Sequence, residues 1–207
     1  MALIKFLNDS AADIPADLAR ELGIQVLHFP IALEDREIRD CVDYTPEEFY
    51  RVLLAEKKIP THAQLTPFMF EECYQQAYDE GYTHLIYTAI NAKGSSTYCN
   101  ALQARESFYD EDPKAREKFT ITVIDAGTYT MAYGWAVVQG ARMAADGQSP
   151  EKVEAFIRDW LAHARILFIP LDLRFAKKSG RVSAAAAFMG DALGLKPVMT
   201  FENGESK

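Results

Sequence analysis

The chain has 207 residues, 49% of them apolar and 12% aromatic, enough to bury a sizeable core and too many for a disordered tail or a small disulfide-stapled scaffold. Its formal net charge of −8, without any Lys/Arg cluster, leaves no basic footprint for a nucleic-acid backbone and disfavours an anionic membrane surface. A small molecule or another protein is therefore the expected partner.

Cys41, Cys73 and Cys99 are odd in number and have none of the spacings of a zinc site or a disulfide framework. The apolar run at the N-terminus is too short for a signal peptide, and no apolar stretch is long enough to span a bilayer. The expectation is a protein of a reducing cytoplasm, with no metal, no transmembrane segment and no nucleic-acid partner.

In chain order, residues 2–7 read as a first buried strand, followed by Asn8, Asp9 and Ser10. A second apolar run, 24–33, also reads as one strand. Thr45 then precedes Pro46, Glu47 and Glu48, which predicts a helix from about residue 46. The Thr hydroxyl caps orphan N–H groups, Pro at the first helical position loses no hydrogen bond, and Glu48 completes a capping box. The same signal predicts helix starts near 67, from Thr66 and Pro67, and near 150, from Ser149 and Pro150. Strands at 84–90 and 119–124 alternate with helices at 67–80, 97–111 and 128–146, and Gly81 and Gly147 stand where C-terminal caps belong. That alternation predicts an α/β fold, a doubly wound domain with a mostly parallel sheet over residues 1–148.

Beyond Ser149 the pattern changes to a helix at 150–163, a strand at 165–170, an Ala-rich helix near 183–193 and a strand at 196–201. Residues 149–207 read as a second α/β domain. Asn203 followed by Gly204 is a type I′ hairpin signal, and only Glu205, Ser206 and Lys207 come after it. The expectation is a truncated second domain, whose strand at 196–201 has no returning partner.

In an open parallel sheet, ligands bind beyond the carboxyl ends of the strands, so those ends carry the candidate chemistry. Lys93, Gly94, Ser95, Ser96 and Thr97 form a small-residue turn into a helix, where N–H groups, the positive end of the helix dipole and hydroxyls suit an anion. The same residues suit plain N-capping, and residue types alone do not separate phosphate from carboxylate. His62, in the polar connection from Ile59 to Pro67, can donate to an anion or exchange a proton near neutral pH, although a loop histidine is more often solvated or bonded to a carbonyl. Asp9 and Asp125, with His62 and the Ser95 cradle, would describe a phosphoryl-transfer or hydrolytic enzyme. Without a nucleophile–base pair, metal cluster or Walker-type loop, the two aspartates read better as caps or turn braces, and no residue is assigned as catalytic. Arg181, in the basic turn from Lys177, either closes over an anion or serves a helix end.

Taken together and in order, these segments resemble the DegV family of bacterial proteins. Asn8 to Pro15 is similar to its Thr-Asp-Ser-Thr-Ala-Asp-Leu-Pro pattern, His62 to Pro67 to its Thr-Ser-Gln-X-X-Pro region, and Ser95 to Tyr98 to its Ser-Gly-Thr-Tyr region. Val123 to Asp125 resembles its Val-Ile-Asp, and Lys178 to Arg181 its Lys-Gly-Gly-Arg, followed by Leu195 to Pro197. The resemblance spans essentially the whole chain. It implies a non-catalytic two-domain α/β protein that holds a long-chain fatty acid in the crevice between its domains, the carboxylate bound by hydroxyls and helix N-terminal amides, and presents it to a separate fatty acid kinase. No cofactor is implied. Carried onto this sequence, the head-group positions are Thr61, His62, Ser95 and Ser96, with Asp9, Ser10, Gln64, Asp125 and Arg181 lining the crevice. The chain departs from the family at His62 and Ala63, where Thr-Ser is usual, and at Ser96, where Gly is usual.

Overall fold

The computed structural model describes residues 2–56, 58–170 and 197–207. In chain order they form β1 (Ile4–Asp9), α1 (Ala16–Glu21), β2 (Ile24–Leu27), β3 (Pro30–Ala32), β4 (Glu37–Arg39), α2 (Pro46–Ala55), β5 (Thr61–His62), α3 (Pro67–Asp79) and β6 (His84–Ala89). They continue with α4 (Thr97–Glu111), β7 (Thr120–Asp125), α5 (Met131–Ala145), α6 (Pro150–His163), β8 (Leu167–Phe168), β9 (Met199–Glu202) and β10 (Glu205–Ser206).

The expected α/β architecture is the observed one. Four parallel strands run in the order β2-β1-β6-β7, so the chain winds outward in both directions from β1, and the β1/β6 boundary is the switch point of the sheet. Strand side chains alternate between faces, and both faces here are apolar. Leu7, Leu85 and Val123 face α3 and α4, while Phe6, Ile86 and Ile124 face α5 and α6. Each large side chain so buried contributes roughly 1.5–3 kcal/mol.

The helix starts follow their sequence signals. Thr45 Oγ1 accepts from Glu48 N (3.3 Å) while the Glu48 carboxylate accepts from Thr45 N (2.9 Å), a complete capping box. Thr66 Oγ1 accepts from Met69 N at the start of α3. Helix α6 begins at Pro150 and packs Val153 and Ile157 into the same core as Phe6 and Ile124, so this helix beyond residue 148 is built onto the parallel sheet. Gly140 on α5 permits the approach, since a Cβ there would lie 3.0 Å from Ile157 Cδ1.

Two expectations are corrected. The run 24–33 is not one strand: β2 ends at Leu27, and the chain passes through His28 and Phe29 into β3, which belongs to a separate antiparallel sheet of order β4-β3-β5. Pro30 has no N–H for a ladder. The Phe29 backbone is also taken elsewhere, its N–H donating to Ser10 Oγ (3.2 Å) and its carbonyl accepting from Asp40 N (2.9 Å).

The second correction concerns the hairpin. Asn203 and Gly204 have φ of 53° and 75°, as a type I′ turn requires, and the three residues after them suffice to close it. Glu205 pairs with Glu202 and Ser206 with Phe201, while Lys207 and Thr200 exchange two backbone hydrogen bonds. β9 also pairs with β8, so the strand expected to lack a partner has one on each side. The Ala-rich helix near 183–193 lies outside the described residues. No helix among the described residues is long and apolar enough to cross a membrane.

Candidate ligand-binding site at the sheet switch point

A cavity of about 440 Å³ opens beyond the carboxyl ends of β1 and β6, within the size range of small-molecule sites. Most of its wall comes from the excursion between β2 and α3. Phe29 and Ile31 line it from the small sheet, and Ile59 and Pro60 from the approach to β5. Helix α2 buries none of its residues fully; Phe49 and Leu53, one turn apart on one face, look into the cavity instead. Ala11, Ile90 and Tyr129 form the opposite side.

At one end the lining becomes polar. Thr61, His62 and Ser95 line it there, and a polar recess of about 300 Å³ adjoins it, lined by His62, Gln64, Lys93, Ser95 and Ser96. The cavity and the recess share His62, Gly94 and Ser95. Of the four expected head-group positions, His62 and Ser95 line both volumes, Thr61 the cavity, and Ser96, with Gln64, the recess.

Local hydrogen bonds explain the convergence. β5 pairs with β3, placing His62 opposite Ile31 and Thr61 opposite Ala32, and the His62 ring meets the Phe29 ring edge-on at 6.3 Å. Asn100 Nδ2 donates to the Leu65 carbonyl (2.7 Å), pinning the connection after β5 against α4. Ser95 Oγ accepts from Thr97 N (3.2 Å) and donates to Thr97 Oγ1 (2.9 Å). The N-cap of α4, Ser96, makes no side-chain cap bond; Ser95, one position earlier, accepts from the first helical N–H and lines the recess as well. Asp125 lies outside both volumes and braces the turn: its Oδ1 accepts from Ala92 N and Gly127 N, both at 2.9 Å.

Tyr129 links the cavity to the C-terminal hairpin. Its hydroxyl accepts from Asn91 Nδ2 (2.9 Å), its ring lies 4.4 Å from that of Phe201, and Gly94 packs so closely that a Cβ there would collide with the Tyr129 hydroxyl. Asn91 Nδ2 also donates to the Gly204 carbonyl (2.8 Å). The next residue, Thr130, has φ 55°, a conformation costly for a β-branched side chain, and its N–H donates to the Ala11 carbonyl (3.0 Å). Tyr129 was missed in the sequence because nothing local marks it; its role comes from partners 38 and 72 positions away.

Asp9 and Ser10 stand behind the cavity wall. Asp9 is fully buried and accepts from Tyr133 Oη (2.6 Å), Tyr87 Oη (2.9 Å) and Ile90 N (2.9 Å), joining β1, β6 and α5. Burial pushes its carboxyl above the ordinary carboxylate range, against the pull of those hydrogen bonds, and pushes both tyrosines well up. Ser10 Oγ donates to Asp40 Oδ2 (2.7 Å), and Asp40, which carries no motif, is the carboxylate that lines the cavity. Asp9, Asp125 and His62 are therefore not assembled into one acid–base group. Arg181 lies outside the described residues.

Fold and site together define an α/β protein with a mostly apolar cavity at its switch point, lined also by the Asp40 carboxylate and by Thr61, His62 and Ser95. A family model described as "Uncharacterised protein, DegV family" matches residues 4–207. A DegV domain-containing protein of Caldanaerobacter subterraneus subsp. tengcongensis is 32% identical over 207 residues, covering 100% of this chain and 70% of the relative. A Thermus thermophilus structure, described by its fatty acid binding as a DegV family protein, superposes with a TM-score of 0.85 at 29% identity, over 99% of this chain and 70% of that one. A stearic acid-binding protein from Eubacterium ventriosum has a TM-score of 0.86 over 100% of this chain and 69% of that one, and at 24% identity the likeness is one of fold. The chain belongs to the DegV family.

Proposed function

We propose that this protein is a cytoplasmic, non-catalytic carrier of a long-chain fatty acid. The acyl chain occupies the apolar cavity, and the carboxylate enters the recess, held by Ser95, His62 and Thr61 with the amides around Ser96. One observation carries this reading: a mostly apolar cavity and a polar recess adjoin and share His62, Gly94 and Ser95 in their walls, an arrangement that suits an amphipathic ligand with one charged end. The fatty-acid binding of the Thermus relative supports it. Each buried methylene contributes ~0.8 kcal/mol, and a hydroxyl donating to the carboxylate about 1.5–3 kcal/mol. A carrier needs no nucleophile, which agrees with the way Asp9 and Asp125 are used as braces. On this reading the bound carboxylate is presented to a separate fatty acid kinase.

Native mass spectrometry of gently purified protein tests the proposal. Retained mass corresponding to a C14–C18 fatty acid is the expected result. Protein that carries no lipid and fails to take up added palmitate would overturn it.

A further inference from the structure

Lys93 is the one cation among the described residues that line the recess, yet its ammonium is turned to the C-terminal hairpin, 3.0 Å from Glu205 Oε1. Its stem runs along the turn, where a Cβ on Gly204 would lie 3.2 Å from Lys93 Cδ. Both side chains of the pair are more than half exposed, at 53% and 69%. An ion pair in that setting contributes little and exchanges readily, and the lysine stem is long and rotatable. The hairpin has other attachments, through the Gly204 carbonyl to Asn91 and through Phe201 to Tyr129, so it does not depend on this ion pair.

We propose that Lys93 is a transferable counter-ion: it pairs with Glu205 when the recess is empty and turns to the ligand's carboxylate when the recess fills. This rests on the fatty-acid reading and adds a residue that the family motifs do not mark. A carboxylate beside the Ser95 hydroxyl, shielded by the recess walls, is a better partner for the ammonium than the more exposed Glu205, because charge-assisted hydrogen bonds strengthen as water is excluded. Coupling of this kind is reciprocal, so weakening the Lys93–Glu205 pair must tighten anion binding by the same factor that anion binding weakens the pair. The hairpin is thereby held to the head-group loop more firmly in the empty protein than in the loaded one.

The test compares palmitate with hexadecanol, which has the same chain and no charge, on the full chain. Glu205→Gln should tighten palmitate about two- to fivefold and leave hexadecanol unchanged. Lys93→Gln should weaken palmitate, and the gain from Glu205→Gln should vanish when Lys93 is also replaced. Palmitate binding by the parent that responds to neither substitution, or a Glu205→Gln effect equal for both ligands, overturns the counter-ion. Failure of the parent to bind palmitate at all overturns the fatty-acid reading, and this one with it.

Discussion

The polar end of the cavity is drawn from segments far apart in the chain, and several of its groups are fixed by a second residue: Ser95 by Thr97, the Asn91–Lys93 turn by Asp125, Tyr129 by Asn91 and Phe201. The apolar side comes largely from one continuous segment, residues 28–62, whose helix α2 has no fully buried residue and leaves Tyr50 and Leu54 63% and 76% exposed. One region is fixed by side-chain hydrogen bonds to distant partners; in the other, helix α2 is the element without a fully buried residue. A charged head group requires donors at fixed positions, whereas methylenes need only apolar cover, which a loosely seated helix can supply at several chain lengths.

The largest effect should come from the support behind the polar end. Asp9→Ala leaves two tyrosine hydroxyls and the Ile90 N–H without their acceptor in a buried place, and should cost on the order of 3 kcal/mol in a urea titration. A loss below 1 kcal/mol would show that this region is not held by the Asp9 hydrogen bonds. Ser95→Ala should weaken fatty-acid binding by about 1.5–3 kcal/mol, equally for decanoate and palmitate, and cost ~1 kcal/mol of stability as a lost hydrogen bond to the first N–H of α4. Leu53→Ala should behave in the opposite way, weakening palmitate by about 1 kcal/mol and decanoate less, with little change in stability. A chain-length dependence for Ser95→Ala, or none for Leu53→Ala, would break the division between the two regions.

The smallest effect is one of pH. Burial raises the folded pKa of Asp9 above the ordinary 3.8, so between those values the folded state holds a proton that the unfolded state has released. The stability contributed by this titration is fully present below pH 3.8 and is lost as pH rises through the folded value. Asp9→Asn has no such titration. Its deficit against the parent should therefore be greatest at and below pH 3.8 and shrink as pH rises through the folded value, and a deficit that grows with pH would overturn the assigned direction.

Much of the parallel domain was legible because its signals are local. Thr45, Thr66 and the prolines after them fix helix starts by nearby hydrogen bonds, and apolar runs buried on both faces mark β1, β6 and β7. The polar end of the site was legible for the same reason, since Ser95 and Thr97 bond within one turn. What could not be read depends on partners distant in sequence. The strand at 24–33 divides because Ser10 and Asp40 claim the backbone of Phe29, and Asp9 looks like a site residue until Tyr87 and Tyr133 close over it. The hairpin turn was recognised from Asn203 and Gly204, but its seat against Asn91 and Tyr129 carries no motif.

The crossing of the chain at His28 and Phe29 from the parallel sheet into the small antiparallel one has a kinetic consequence. Because β3, β4 and β5 pair only with one another, the segment that covers the cavity can move outward without breaking a hydrogen bond of the four-stranded ladder. Opening of such a segment, were it to break its bonds to Ser10, would be expected at a free energy below that of global unfolding. On the proposed function, the residence time of a bound fatty acid should follow that local opening, so a substitution that stabilises the parallel sheet should leave the ligand's exchange rate almost untouched.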